Sequence, residues 1–272
     1  MSSDIIVAHT PDADDAFMFY ALVTGRIRTR LKIKYVIDDI ETLNRMAFKK
    51  TFDVTALSVH AYAYLSDRYR ILSAGASVGN GYGPIVVSKD YIDLRGSRIA
   101  IPGRYTTSYL LLKLAVDDFK PVEMRFDEII DAVKDGKVDA GLLIHEGQIT
   151  YEEYGLKKVF DIWEWWFETT GLPLPLGINV ISRDIPEKDQ IEFLRAFRES
   201  IMYALNNVDE ALEYAMKYSR GMDRDLTRRF ALMYVNEYTL KMPEEVVKAI
   251  EKLYEMSEER GFFRKPVLDI LY

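Results

Sequence analysis

A two-lobed α/β protein with a ligand cleft between its lobes is the fold this sequence predicts, and three observations carry the expectation. Short apolar runs alternate with helix-spaced segments from Ile5 onward, the pattern of strands in a mainly parallel sheet joined by helices. A glycine-dense stretch, Gly79-Asn80-Gly81-Tyr82-Gly83-Pro84, then interrupts that series, either as a plain loop or as a hinge, and a second series of the same kind begins at Ile85. Finally, Pro173-Leu174-Pro175-Leu176-Gly177 ends the second series and leads into Ile178–Ile181, the natural return crossing. The expected lobes are therefore residues 1–84 plus 179–272, and an inserted lobe of residues 85–178. Junctions of this kind are common ligand sites, with hinge closure the expected motion.

The elements follow in order. Ile5–His9 is a short buried strand, broken by Thr10-Pro11-Asp12, and Asp15–Val23 has helical spacing and stops at Gly25. Leu31–Ile37 and Asp53–Leu57 are the next strands, with helices over Ile40–Phe48 and Val59–Leu65. In the second lobe, strands are expected at Ile85–Val87, Arg98–Ile101, Val122–Phe126, Ala140–Ile144 and Val159–Ile162. Helices are expected at Tyr109–Asp117, Glu128–Lys134, Tyr151–Tyr154 and Trp163–Thr169. From Glu187 to Arg260 the pattern is helical, broken at Asn206-Asn207, at Gly221-Met222-Asp223 and at Pro243.

Composition narrows the function. Of the 272 residues 49% are hydrophobic, enough for a substantial core without a disulfide or metal staple, and there is no cysteine for thiolate chemistry. The net charge of -7 argues against nonspecific nucleic-acid binding but leaves room for a small anionic ligand held by local N–H donors. No basic leader with an apolar core is evident and no window reaches the ~20 apolar residues of a membrane span, so a cytoplasmic protein without membrane insertion is expected. Histidine–glutamate zinc patterns, calcium loops, phosphate loops and nucleophile elbows are all missing, so no metal or cofactor is expected. Asp12, Asp14 and Asp15 read as a helix start rather than a cation site.

The chain has three histidines, each a candidate general base because imidazole titrates near neutrality. His9 ends the first strand, where α/β sheets present ligands, yet a capping or loop role suits it as well. His60 lies one turn into a helix beside Tyr62 and Tyr64 and reads as structural. His145 follows the apolar run Ala140–Ile144 and should emerge at a strand's carboxyl end, with Glu146 on the opposite face if extended geometry persists. Spacing alone leaves His145 open between function and structure. Thr106-Thr107-Ser108 opens a helix after Pro102-Gly103, and can cap it, bind a carboxylate, or both. Thr55-Ala56-Leu57-Ser58 is a second strand-to-helix junction with hydroxyls, suited to the opposite wall of the cleft. Trp163, Trp165 and Trp166 cluster with Phe167, as core or as a pocket lining for an aromatic substrate.

Several strings carry a resemblance. Leu94–Ala100 followed by a hydroxyl-opened helix, and Ile129–Val133 followed by Gly136–Ala140, resemble the second lobe of periplasmic-binding-protein-like (type II) folds. Longer strings are more specific: Asp14–Leu22, Ile40–Asn44, Pro102–Thr107, Gly141–Glu146 and Gly171–Gly177. Together they resemble 1,4-dihydroxy-6-naphthoate synthase of the futalosine route to menaquinone, over nearly the whole chain. The resemblance implies a cofactor-independent carbon–carbon lyase that cleaves cyclic dehypoxanthinyl futalosine. It implies His145 as proton acceptor and the hydroxyls of Ser58, Thr106 and Thr107 at the substrate. By the same token the partner is a small carboxylated substrate, and a homodimer is compatible with the chain. Where that family commonly has an asparagine this chain has Asp14, which adds a negative charge, and Ala56 stands where a lysine is frequent, which removes an anion contact. A related branch, chorismate dehydratase, shares fold and pathway, but typically lacks histidine at the position of His145. A non-enzymatic solute-binding protein of the same fold is disfavoured by the missing export leader.

Overall fold

Alternating burial along the first apolar run shows how the chain begins. In the computed structural model, which describes residues 4–272, Asp4–His9 forms β1, with Ile5, Val7 and Ala8 buried. Thr10-Pro11 ends it, and Ala13–Val23 forms α1. In chain order there follow β2 (Lys32–Ile37), α2 (Ile40–Ala47), β3 (Val54–Ser58), α3 (Val59–Tyr62), β4 (Tyr69–Leu72) and β5 (Ser77–Gly79). Next come β6 (Ile85–Ser88), β7 (Arg98–Ile101), α4 (Thr107–Ala115), β8 (Lys120–Glu123), α5 (Ile129–Lys134) and β9 (Ala140–Leu143). Then come α6 (Gly147–Thr150), β10 (Lys157–Asp161), α7 (Ile162–Thr170) and β11 (Leu174–Ser182). The chain finishes with α8 (Glu187–Asn206), α9 (Val208–Ala215), α10 (Arg224–Tyr234), α11 (Glu237–Leu240), α12 (Glu244–Glu259) and β12 (Ile270–Leu271). Short 3₁₀ turns lie at Phe126–Glu128, Tyr151–Tyr154 and Met216–Tyr218.

The chain divides into two units, residues 4–78, 176–247 and 266–272 in one, and 79–175 with 248–265 in the other. Segment 248–265 groups with the second unit, far in sequence from the rest of it. Physical ties account for it: Arg260 pairs with Asp117 at 3.1 Å and donates to the Leu114 carbonyl, while the Lys113 ammonium sits 3.7 Å from the Phe262 ring centre. Such anchors come from distant parts of the chain and leave no local pattern.

The first unit is built on one sheet in the order β12-β4-β11-β3-β1-β2, with β5 beside β11. Its β2, β1 and β3 run parallel, as the alternation predicts, but β11 pairs antiparallel with both β3 and β4, so the sheet is mixed rather than mainly parallel. The core is aromatic: the Phe19 ring on α1 stacks on Phe197 of α8 at 4.5 Å, and Phe197 on Phe193 at 5.8 Å. Ser200 locks the same helix pair, its hydroxyl donating to the Met18 carbonyl at 2.7 Å and accepting from the Leu22 N–H at 3.2 Å.

The second unit has its own five-stranded sheet, β10-β6-β9-β7-β8, in which β9, β7 and β8 are parallel and β6 pairs antiparallel with both β9 and β10. Ile129, Ala132 and Val133 of α5 pack on Ile85, Val87, Ala100 and Leu143 of the sheet. Gly141 makes that contact possible, because a Cβ there would sit 2.8 Å from the Val133 Cγ2 and closer still to Ile129. A larger residue would force β9 and α5 apart. Among the described residues no helix is long and apolar enough to cross a membrane.

Candidate functional site

Parallel strands in an α/β sheet direct their carboxyl ends, and the helix starts that follow, to one edge, and ligands bind there. Each unit has such an edge. In the second unit β7, β9 and β8 present in turn the Thr106 turn, His145 and Phe126. In the first unit β1, β3 and β2 present the Asp12–Asp15 helix start, Ser58 and Asp39.

Thr106 is the N-cap of α4. Its hydroxyl donates to the Gly103 carbonyl at 2.8 Å, and accepts from the Tyr109 N–H at 3.4 Å and from the Ser108 hydroxyl at 3.2 Å. The capping alternative is thus realised in the structure. Thr107 is the first residue of the helix, and both threonines are buried. The nine-residue helix behind them orients its first-turn N–H groups and dipole at the same edge, a setting that favours a carboxylate.

His145 does not continue the strand. β9 ends at Leu143, His145 adopts φ 55° and Glu146 turns helical at φ -60°, so the extended geometry that would place Glu146 on the opposite face does not persist. A non-glycine residue in the left-handed region costs about 1–2 kcal/mol and is held there only by its surroundings. The Gln148 N–H donates to the His145 carbonyl at 3.2 Å, and the imidazole packs edge-to-face with Phe126, ring centres 4.9 Å apart. His145 is half-buried, whereas the other two histidines are buried. His9 extends the aromatic stack, 4.7 Å from Phe19, and its Nδ1 lies 2.9 Å from the Thr10 carbonyl, to which the Nδ1–H tautomer donates. His60 packs 5.7 Å from Tyr64 within the short α3.

The first unit's edge is dense in charge. Asp12 is buried and paired with Arg220 at 2.6 Å; Arg220, itself at φ 50°, also donates to the Pro11 carbonyl at 3.1 Å. Asp15 accepts from the Thr10 N–H at 2.7 Å and the Thr10 hydroxyl at 2.8 Å. Burial raises the Asp15 carboxyl, and the neighbouring His9 and the Thr10 donors partly offset this. Asp14 has an oxygen shut off from solvent with no hydrogen-bond partner among the described residues. Its carboxyl is raised well above the ordinary 3.8, first by burial and then by the charges of Asp15 and Asp12.

Ser58 forms a reciprocal pair with Asn44 of α2: the Asn44 amide donates to its hydroxyl at 3.0 Å and accepts from its N–H at 2.9 Å. Ala56 lies in an apolar cluster with Ala8, Leu43 and Phe52. Thr55 and Leu57 are fully buried in β3, the Thr55 hydroxyl donating to the Ala56 carbonyl at 3.0 Å. Of the tryptophans, Trp166 is buried and donates its indole N–H to the Pro173 carbonyl at 3.0 Å, while Trp163 stacks on Phe167 at 5.2 Å. Sequence reasoning missed Asn44, Arg220 and Phe126; only Asn44 carried a signal, a polar residue on the apolar face of an amphipathic helix. Among the described residues no His/Cys/Asp/Glu group is arranged to hold a metal ion.

Two mixed sheets, each with parallel strands at its heart, define a periplasmic-binding-protein-like α/β protein. A Candida albicans protein described as having the generic periplasmic binding protein fold superposes with a TM-score of 0.71 at 16% identity, covering 97% of this chain and 92% of that one. The family model for menaquinone biosynthesis matches residues 5–259, and the chain belongs to that family. It is 42% identical over 253 residues to the 1,4-dihydroxy-6-naphtoate synthase of Thermus thermophilus, 93% of either chain. The crystal structure of an Archaeoglobus fulgidus protein, 66% identical, superposes with a TM-score of 0.94 over 96% of this chain and 98% of that one. The protein is thus an enzyme of menaquinone biosynthesis.

Proposed function

We propose that the protein is a lyase that cleaves cyclic dehypoxanthinyl futalosine to release 1,4-dihydroxy-6-naphthoate, with His145 as general base. The observation that carries this reading is the contrast among the histidines: His145 alone is half-buried, past the end of a parallel strand and in a backbone conformation its surroundings must enforce. Neutral imidazole takes a proton from the substrate, and cleavage of the carbon–carbon bond follows. Aromatisation of the released ring supplies the driving force, so the chain's own residues need only bind, orient and move a proton. The substrate carboxylate sits at the start of α4, against Thr107 and the first-turn N–H groups, where the helix dipole favours negative charge. Ser58, held by Asn44, is a further polar substrate contact in this reading, which also assigns Thr55, Ala56, Leu57 and Asp14 to the substrate site. The same reading is of a cofactor-independent enzyme that acts in the cytoplasm.

The test is direct. The purified protein is incubated with cyclic dehypoxanthinyl futalosine and, separately, with chorismate, and products are followed by chromatography. Formation of dihydroxynaphthoate from the first and no turnover of the second is expected. Dehydration of chorismate, or tight binding of either compound without turnover, contradicts the proposal.

A further inference from the structure

His145 sits at φ 55° in a tight turn closed by the Gln148 N–H on its carbonyl, and its imidazole packs against an aromatic ring from another element. That ring is Phe126, 4.9 Å away between centres and inclined at 73°. Phe126 opens the 3₁₀ turn Phe126–Glu128, which runs straight into α5, so its backbone moves with that helix. α5 in turn is seated on β9, the strand that delivers His145, through the close approach at Gly141. Further along, Gly147 of α6 lies where a Cβ would be 3.7 Å from Ile130 of α5 and 3.6 Å from Leu143. Two close approaches of α5, at Gly141 before the His145 turn and at Gly147 after it, therefore hold the helix that follows Phe126 against the strand that delivers His145.

We propose that Phe126 is a positioning residue for His145: its ring fixes the rotamer of the imidazole so that one nitrogen is held toward the substrate. Phe126 moves no proton and need not touch the reacting atoms. An edge-to-face aromatic pair has a preferred inclination as well as a preferred distance, so it restrains the imidazole's torsions in a way an aliphatic neighbour does not. A base displaced by about 1 Å can lose about 10²-fold in rate with little change in binding, because orientation is realised mainly in the transition state. The proposal rests on the reading of His145 as the base.

The experiment compares Phe126→Leu, Phe126→Tyr and His145→Ala with the unaltered protein, by steady-state turnover of cyclic dehypoxanthinyl futalosine and by NMR of ¹³Cε1-labelled histidine. With three histidines in the chain, the His145 resonance is assigned by its loss in His145→Ala. Phe126→Leu is expected to lower kcat about 10- to 100-fold with KM changed less than about twofold, and to move the His145 resonance while those of His9 and His60 stay. Phe126→Tyr keeps the ring and is expected to restore kcat to within about threefold. Unmoved His9 and His60 resonances also certify that the variant is folded. If His145→Ala is inactive but Phe126→Leu turns over normally, or loses kcat without rescue by tyrosine, the positioning role is wrong while the base stands. If His145→Ala is fully active, the base is wrong, and the role of Phe126 falls with it.

Discussion

The strand-end edges of the two units are made from opposite materials. In the first unit, buried Asp12, Asp15 and Ser58 are matched by Arg220, Thr10 and Asn44, and Asp14 beside them is half-buried. In the second unit the edge carries hydroxyls, a helix start and a half-buried imidazole in a strained turn, packed edge-to-face on an aromatic ring. Matched buried charge is expensive to disturb and suits a fixed wall. A half-buried imidazole held against its backbone preference suits a group that meets a ligand. On the proposed reading, one edge supplies rigidity and the other the chemistry.

Removing Arg220 attacks the comparison where it is strongest. Arg220→Met strands the Asp12 charge in a buried position beside two further carboxylates. Because Arg220 retains some solvent contact, the loss should be about 2–4 kcal/mol, somewhat below that for a fully buried pair. Urea unfolding measures it, and a change under about 0.5 kcal/mol would mean the wall does not depend on charge matching. Thr106→Ala tests the other edge. Loss of the cap should cost about 1 kcal/mol, and loss of the site should raise KM as well, whereas a stability loss with unchanged KM leaves Thr106 only a cap. The smallest effect is expected from Asp14→Asn. The folded protein holds the Asp14 proton more tightly than the unfolded chain, so its contribution is fully present below 3.8 and is lost as pH rises through the raised folded value. The asparagine variant should therefore melt about 2 °C higher at neutral pH and show no gain below pH 3.8. A lower melting temperature at neutral pH would show that the Asp14 charge is compensated.

Much of this arrangement was legible in the sequence, and what was not has a common cause. The first three parallel strands and the helices between them follow from apolar runs ended by Pro, Gly or hydroxyl residues, as at Thr10-Pro11 and Pro102-Gly103. The same breaks marked Thr106, Ser58 and His145, because a polar residue just past an apolar strand has few other places to be. By contrast β4, β5 and β12 are two to four residues long, too short for a period to show. β12 joins the sheet only through β4, where Arg70 and Asp269 pair across 199 residues. Strand direction was also hidden: nothing local tells β11 to run against β3. The partners of the site residues are of the same kind, since Arg220 meets Pro11 from 209 residues away and Phe126 meets His145 only because α5 folds back on β9. Resemblance to a family supplied the proposed substrate, which no spacing could.

The central claim is that among three histidines the chemistry belongs to His145, and one comparison tests it most directly: turnover of cyclic dehypoxanthinyl futalosine by His145→Ala and His60→Ala, with unfolding curves for both. His145→Ala should lose about 10²–10⁴-fold in kcat while its stability stays within about 1 kcal/mol of the parent, and His60→Ala should keep its turnover. A His145→Ala protein that turns over substrate at the parent rate, or a His60→Ala protein that is folded but inactive, would contradict the account.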